Sequence, residues 1–440
     1  MNVHSALLRH IHFQCTVLPE MALCAPSRIP CLLRRAVRAA QYATQRFSTS
    51  VLLRDFIQEA LYSKQSGYFV AGGSVVGKLP KPLQFRTLLD RSDYNAAITS
   101  AYSSAKGAWY TPSELFQPLY SIGLVRHILR THASAEPLVV FELGGGTGTN
   151  AVCFLDALKR IAPAVYANTR YINVEISATL AEAQRETTVA HRRAHDVMHA
   201  DAASASTWAP LVSASPCYVI ALELLDNLPH DRVCLSDDGT WSETRVYFAH
   251  SKWQEQLQPV ADPLIKRCLD IYTQHSGWRG GNWLERFLLR DPSQSGTVFL
   301  PTTCLQLLES ITAARPQHCL LLSDFDALPG VTIEGVNAPL VASRSGHDYG
   351  SYLAAADGSA DIMFPTSFSL LAAMIADTRR RYKAKSCGSV RVLSSADFYA
   401  SSLEAHELSE ASTASGWNPL LHDFPNTRVL MSSGKNEQHS

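Results

Sequence analysis

The apolar positions of this chain change their period as it proceeds. Val51, Leu52, Phe56, Ile57, Ala60 and Leu61 recur at the three- and four-residue spacing of one helical face, so VLLRDFIQEALYSKQSGYF reads as a helix ended by Gly67. VAGGSVVGKLPKP, rich in Gly and Pro, reads as a loop. In TPSELFQPLYSIGLVRHILRTH, Thr111 is a candidate N-cap with Pro112 at the first helical position, and Pro118 kinks or divides the helix. From Pro137 the pattern switches. PLVVFEL is a short apolar run of the kind expected for a central strand, and a glycine turn and the helical stretch TNAVCFLDALKRIA follow it. RYINVEIS predicts a second strand and ATLAEAQRETTVAHRRAH a second helix. CYVIALELLDNLP predicts a further buried strand with an acidic turn, and TCLQLLESITAARPQHCLLLSDFDAL another helix and strand. Strands alternating with helices predict an α/β fold: a doubly wound, mostly parallel sheet covered on both faces.

The alternation frames the organisation of the chain. Residues 51–136 form a helical amino-terminal extension, 137–232 the core with the glycine turn, and 301–431 the remainder of the core with carboxy-terminal elements. Between about Val233 and Leu300 the alternation breaks, and Trp241, Trp253, Trp278 and Trp283 fall among polar residues, as in an inserted cap or substrate-facing segment. Residues 432–440 read as a disordered tail.

Composition changes this picture at one end. Within residues 1–50, Arg9, Arg28, Arg34, Arg35, Arg38 and Arg46 face a single acid, Glu20, amid Ser, Ala and Leu. That is the composition of a mitochondrial transit peptide, with RFSTS at Arg46–Ser50 resembling a processing site and the matrix as destination. Over the whole chain the formal net charge is zero, which argues against a nucleic-acid partner, because such binding is driven largely by phosphate neutralisation. No apolar run reaches 18 residues, so no membrane span is expected. The ten cysteines are scattered without C-x-x-C spacing. His191 and His195 stand four apart on the predicted second helix, with His199 beyond, but Arg192 and Arg193 lie between them, and the stretch reads as a solvated basic face with no metal.

The chemistry lies in FELGGGTGTNA. A triphosphate loop needs Lys followed by Ser or Thr after its last glycine, and none is present. The dinucleotide fingerprint G-x-G-x-x-G fits Gly144 and Gly146, but its third glycine falls on Thr149. The spacing is instead Glu142-x-Gly144-x-Gly146-x-Gly148, which resembles the turn of class I S-adenosylmethionine-dependent methyltransferases with their Rossmann-like fold. Glycines let backbone approach methionine and ribose closely, and no pyrophosphate has to be held. Glu142 is expected to anchor the cofactor's ammonium, and Glu175, closing YINVE, to accept the ribose hydroxyls. Asp201 in HADAAS is a candidate for the adenine, or equally a loop acid or helix cap.

ALELLDNLP, Ala221–Pro229, bears on the acceptor. The Asn/Asp-Pro-Pro-aromatic motif of N6-adenine methyltransferases is missing from it. It resembles the Asn-Glu-hydrophobic-hydrophobic-Asp-Ala-Leu-Pro turn of the MidA family, the mitochondrial complex I assembly-factor methyltransferases, through Glu223, Asp226, Leu228 and Pro229. EALYSKQSGYF, GAWYTPSELFQPLYS, LLLSDF and GSADIMFPTSFSLL resemble that family's segments in the same order, in patches from Leu53 to Met374. The chain departs from the family's pattern at Leu222 (usually Asn), Asn227 (Ala) and Ser367 (an acid), and its cofactor turn has no proline, as in a divergent member. The resemblance implies methylation of an arginine in a complex I subunit during assembly. Glu223 would then orient the guanidinium and accept its proton, with Asp226 as helper. The same acids also suit turn structure, Asp226 capping the Leu-Pro turn. The resemblance gives Asp324 and Asp361 site or structural roles, and His230 lies just past the acidic turn. A non-catalytic assembly chaperone with this fold, or a nucleic-acid or small-molecule methyltransferase, are the alternatives.

Overall fold

A computed structural model of the chain describes residues 50–70, 76–104, 110–132, 136–276, 296–343, 346–384 and 388–432. The arginine-rich segment 1–49, Trp109, Trp278, Trp283 and the tail from residue 433 lie outside the described residues.

The apolar runs form the centre of a seven-stranded sheet: β2 (Val139–Leu143), β3 (Arg170–Glu175), β4 (His195–His199), β5 (Cys217–Leu222), β10 (His318–Phe325), β13 (Val390–Ser394) and β14 (Thr427–Ser432). Its order is β13-β14-β10-β5-β2-β3-β4. The five strands from β10 to β4 are parallel, and β14 is antiparallel to both β10 and β13. Alternate residues of each central strand enter opposite cores. Val140, Tyr218, Ile220, Cys319 and Leu321 pack on one face with the helices Leu119–Thr131, Thr149–Ile161 and Ser395–Ser402. Phe141, Leu143, Val219, Ala221, Leu320 and Leu322 pack on the other with the helices Pro263–His275, Thr302–Ala314 and Phe368–Arg381. This two-sided burial explains why these strands read as continuous apolar runs. The chain order reverses between β2 and β5, and a doubly wound sheet opens its ligand crevice at that point, beyond the carboxyl ends of the strands.

A second, antiparallel sheet joins β1 (Val51–Leu52), β6 (Asp231–Leu235), β7 (Trp241–Ala249), β8 (Lys252–Pro259) and β9 (Thr297–Leu300). It therefore takes up much of segment 233–300 and ties it to the start of the described chain. A two-stranded ribbon, β11 (Leu340–Ser343) with β12 (Ala360–Met363), completes the strands.

Two helices differ from expectation. Val51–Leu52 pair as β1 instead of starting the first helix, which runs only Leu53–Tyr62. The second helix stops at Thr187, eight residues short of the predicted end, and passes through a single 3₁₀ turn, Val189–His191, into β4. Thr188 Oγ1 donates to the Gln184 carbonyl at 2.7 Å, and the β-branched run Thr187-Thr188-Val189 is poor helix material. Pro118 does divide the helix it was expected to disturb, into Pro112–Leu115 and Leu119–Thr131. Thr111 occupies the N-cap position without capping through its side chain; its Oγ1 lies 2.9 Å from Ser113 Oγ.

One ionic cluster fastens the amino-terminal helix Leu53–Tyr62 to the second sheet. The Arg54 guanidinium reaches Asp231 Oδ2 at 2.6 Å and Asp262 at 2.7 and 3.0 Å, and Thr302 Oγ1 donates to Asp231 Oδ2 at 2.7 Å. Burial pushes the Asp231 carboxyl up, and Arg54 is what offsets that cost. Arg54→Met should lower unfolding stability by about 3 kcal/mol in denaturant titration, because Asp231 would be left without its cation; a change below about 1 kcal/mol would refute this account.

Candidate functional site

The glycine turn sits at the tip of β2, in the crevice. Gly144, Gly146 and Gly148 have φ of +65°, +53° and +85°, so the alternate spacing reflects three left-handed residues in one loop. Gly145 is required for a different reason. A Cβ there would lie 2.0 Å from Asn173 Nδ2 and 3.0 Å from Glu142 Oε2. Gly148 precedes the helix Thr149–Ile161 as its N-cap.

Beneath the turn, Glu142 is buried and engaged on both oxygens. Asn150 Nδ2 donates to Oε1 at 2.8 Å, and Asn173 Nδ2 and the Tyr171 hydroxyl donate to Oε2 at 2.8 and 3.0 Å. Burial raises its pKa, and the three hydrogen bonds oppose that shift. Ser121 Oγ in turn donates to Asn150 Oδ1 at 2.7 Å. Asn150, Asn173 and Tyr171 were invisible as site residues in the sequence, because only the fold brings them to Glu142.

Glu175 closes β3 and lines the same cleft. Ser177 N–H donates to Oε1 at 2.8 Å and Gln184 Nε2 to Oε2 at 3.0 Å; Gln184 Nε2 also donates to the Gly146 carbonyl at 2.9 Å, clamping turn and acid together. Burial pushes the Glu175 carboxyl up to about 7. Asp201 lines the cleft from the loop after β4, and its Oδ1 accepts the Ala203 N–H at 2.9 Å. It thus supports its own loop while facing the cleft.

The cleft encloses about 1110 Å³ of non-atom space, part of it open to solvent, and runs from Asp201 past the glycine turn to Glu223. One wall comes from the amino-terminal extension, through Tyr62, Phe69, Thr111, Ser113 and Glu114. Tyr62 and Phe69 stack with ring centroids 5.5 Å apart, and the Tyr62 hydroxyl donates to the Asn227 carbonyl at 3.1 Å. None of the described residues of segment 233–300 lines this cleft, so the cap reading finds no support in them.

The acidic turn stands beside the glycine turn; a Cβ on Gly144 would approach Leu224 Cδ1 to 2.8 Å. Glu223 has the rare φ of +51° for a residue with a side chain, and its N–H donates to the Ser323 carbonyl at 2.8 Å. Asp324, at the tip of β10, shapes the turn: its Oδ2 accepts the N–H groups of Leu225 at 2.7 Å and Asp226 at 3.2 Å. Asp361 Oδ1 accepts from Asn227 Nδ2 at 2.8 Å. Glu223 lines the cleft, whereas Asp226 is buried behind the turn, off the lining. Among the described residues Glu223 Oε1 and Asp226 Oδ1 are both buried without a hydrogen-bond donor. Burial first, then Asp324, raises the Glu223 carboxyl well above the usual range; burial with Asp324, Asp361 and Glu223 does the same to Asp226.

The histidines stay outside this site. His230 is buried, stacks on Phe364 with centroids 3.9 Å apart, and its Nδ1 lies 2.7 Å from the Leu228 carbonyl; burial pushes it down to about 4. His191 and His195 do not share a helical face, since one lies in the 3₁₀ turn and the other on β4. His191 bonds Tyr166 and Asp156, His195 bonds Thr188 and Asn173, and His199 bonds the Ile176 carbonyl. Among the described residues no group of three or more His, Cys, Asp or Glu is placed to hold a metal ion, and no helix is long and apolar enough to cross a membrane.

A parallel sheet with an antiparallel β14, a loop of left-handed glycines at the first core strand and acids at the next strand tips define a class I methyltransferase built to take S-adenosylmethionine. The family described as "Putative S-adenosyl-L-methionine-dependent methyltransferase" matches residues 122–384, and the chain belongs to that family. A "likely methyl transferase" from Burkholderia thailandensis, solved bound to S-adenosyl-homocysteine, is 16% identical over 94% of this chain and 95% of its own, with a TM-score of 0.59. A native crystal structure of an uncharacterized protein from the same organism has 16% identity, the same two coverages and a TM-score of 0.58. No curated protein matches the chain.

Two outcomes test this geometry. Gly145→Ala should weaken S-adenosylhomocysteine binding about tenfold or more in calorimetry, by forcing Asn173 and Glu142 apart. Gly350→Ala, whose added methyl meets nothing within 4 Å, should not. If Glu175 holds the ribose hydroxyls, ligand binding favours its ionised form, so affinity is full above the free value near 7 and falls below it, by up to about tenfold per pH unit. Glu175→Gln should flatten that profile.

Proposed function

We propose that this protein is a mitochondrial protein-arginine methyltransferase that modifies a subunit of respiratory complex I during its assembly. The observation that carries the arginine reading is the half-buried Glu223 carboxyl: its buried Oε1 has no donor, three further acids stand around its turn, and the residue lines the cofactor cleft. Such a site repels anions and pairs with a cation that brings several N–H donors, which a guanidinium does. Tyr102, Tyr120 and Tyr399 lie near enough to Glu223 for its charge to add to the burial that raises their phenols.

Bound S-adenosylmethionine supplies an electrophilic methyl group and leaves as S-adenosylhomocysteine. The chain's own residues do the rest. The glycine turn, clamped by Gln184 and seated on Glu142, fixes where the methyl donor lies relative to β5. Burial and the Asp324 charge favour the protonated Glu223 carboxyl, and an entering guanidinium favours its ionised form. As carboxylate it orients one nitrogen and accepts the proton that the nitrogen gives up on methylation. Asp226 keeps negative charge behind it, and Asp324 keeps the turn in shape. Ser367, where an acid is usual, still caps the helix Phe368–Arg381 by accepting the Leu370 N–H, so this departure preserves the local role.

The destination rests on the amino-terminal composition and the complex I role on the MidA resemblance. Glu223→Gln should lower methyl transfer by about 100-fold or more while cofactor affinity changes less than about threefold. Labelled cofactor with mitochondrial extract should label an arginine of a complex I subunit. Label in a nucleic acid or small molecule would overturn the arginine reading, and no label with normal complex I assembly would favour a non-catalytic role. Residues 1–50 fused to a reporter should carry it into mitochondria; a cytosolic reporter would overturn the location alone.

A further inference from the structure

We propose that Glu114, and not Glu142, holds the α-ammonium group of the cofactor's methionine. The inference holds whatever acceptor is methylated. The two carboxylates have different surroundings. Glu142 is already the acceptor for Asn150, Asn173 and Tyr171, three neutral donors supplied by the fold, and Gly145 lies hard against its Oε2. With three of about four acceptor positions taken, its role is to seat the glycine turn.

Glu114 lines the same cleft and is 2% exposed. The Leu79 N–H and Gln117 Nε2 both donate to Oε1, at 2.6 and 3.1 Å. Oε2 is left for the cleft, and among the described residues no Lys or Arg pairs with this carboxylate. A buried carboxylate facing a ligand cleft without a cation is costly unless the ligand supplies one. The cofactor has two positive centres, and the ammonium is the one that brings several N–H donors. The hydroxyls of Thr111 and Ser113, 2.9 Å apart on the same wall, supply donors for the carboxylate of the same amino-acid portion. The short segment Thr111–Glu114 thus forms a receptor for an α-amino acid, in the same cleft as the turn that receives the nucleoside.

The test compares two ligands on the full chain by calorimetry: S-adenosylhomocysteine, and 5′-methylthioadenosine, which keeps the nucleoside and thioether but lacks the amino-acid portion. Glu114→Gln retains an acceptor for Leu79 and removes the charge. It should weaken S-adenosylhomocysteine about 10- to 100-fold and leave 5′-methylthioadenosine within about twofold. Retained binding of the second ligand also certifies the fold. Glu142→Gln should weaken both ligands to a similar extent, since it loosens the shared turn. Equal losses for both ligands in Glu114→Gln, no loss for either, or a loss confined to S-adenosylhomocysteine in Glu142→Gln would overturn the proposal. A crystal structure of the unmodified protein with S-adenosylhomocysteine is independent of any variant: the ammonium nitrogen within about 3.2 Å of Glu114 supports the assignment, and its placement on Glu142 refutes it.

Discussion

The acceptor side of this protein depends on one carboxylate that need not touch a substrate. Asp324, at the tip of β10, accepts the N–H groups of Leu225 and Asp226 and so fixes a turn whose first residue, Glu223, is held at φ +51°. Backbone strain of that kind, of order 1–3 kcal/mol, persists only where surrounding contacts over-determine it. Here the contacts are Asp324 on one side, the Ser323 carbonyl on another and the Asn227–Asp361 bond below. Their combined effect is to present an acid where solvation is poor and like charges crowd it. Such crowding of like charges costs stability wherever no opposite charge offsets it.

The donor side obeys a different constraint, close approach. Three left-handed glycines bring backbone to the ligand, a fourth allows Glu142 and Asn173 to press against the loop from below, and Gln184 ties the loop to Glu175. The two halves meet where Gly144 touches Leu224. Position is therefore transmitted through van der Waals contact between two turns at adjacent strand tips, β2 and β5, on either side of the strand-order reversal.

Much of this was legible in the residues. The glycine spacing, the strand ends at Glu142 and Glu175 and the acidic turn are local signals, and each was placed at the crevice by the fold. Other parts were not legible, for identifiable reasons. β4 reads HDVMH, an edge strand with one buried apolar residue, and its histidines invited a helical reading. The second sheet depends on β1 pairing with β7 nearly two hundred residues away, and no local pattern announces such a partner. The donors to Glu142 and the acid Glu114 sit on elements whose convergence exists only in three dimensions. His230, close in sequence to the acidic turn, is buried and stacked on Phe364 instead.

The Tyr62 phenol, bonded to the Asn227 carbonyl, makes the amino-terminal helix part of the catalytic architecture. The family match begins at residue 122 and ends at 384, yet Tyr62, Phe69 and Glu114 precede it and β13 and β14 follow it. The recognisable stretch is thus smaller than the folding unit. A fragment cut at those limits would expose the nucleoside crevice along one side and leave β10 as an unpaired sheet edge, a template for aggregation. For this chain, the boundary of resemblance and the boundary of autonomous assembly fall in different places.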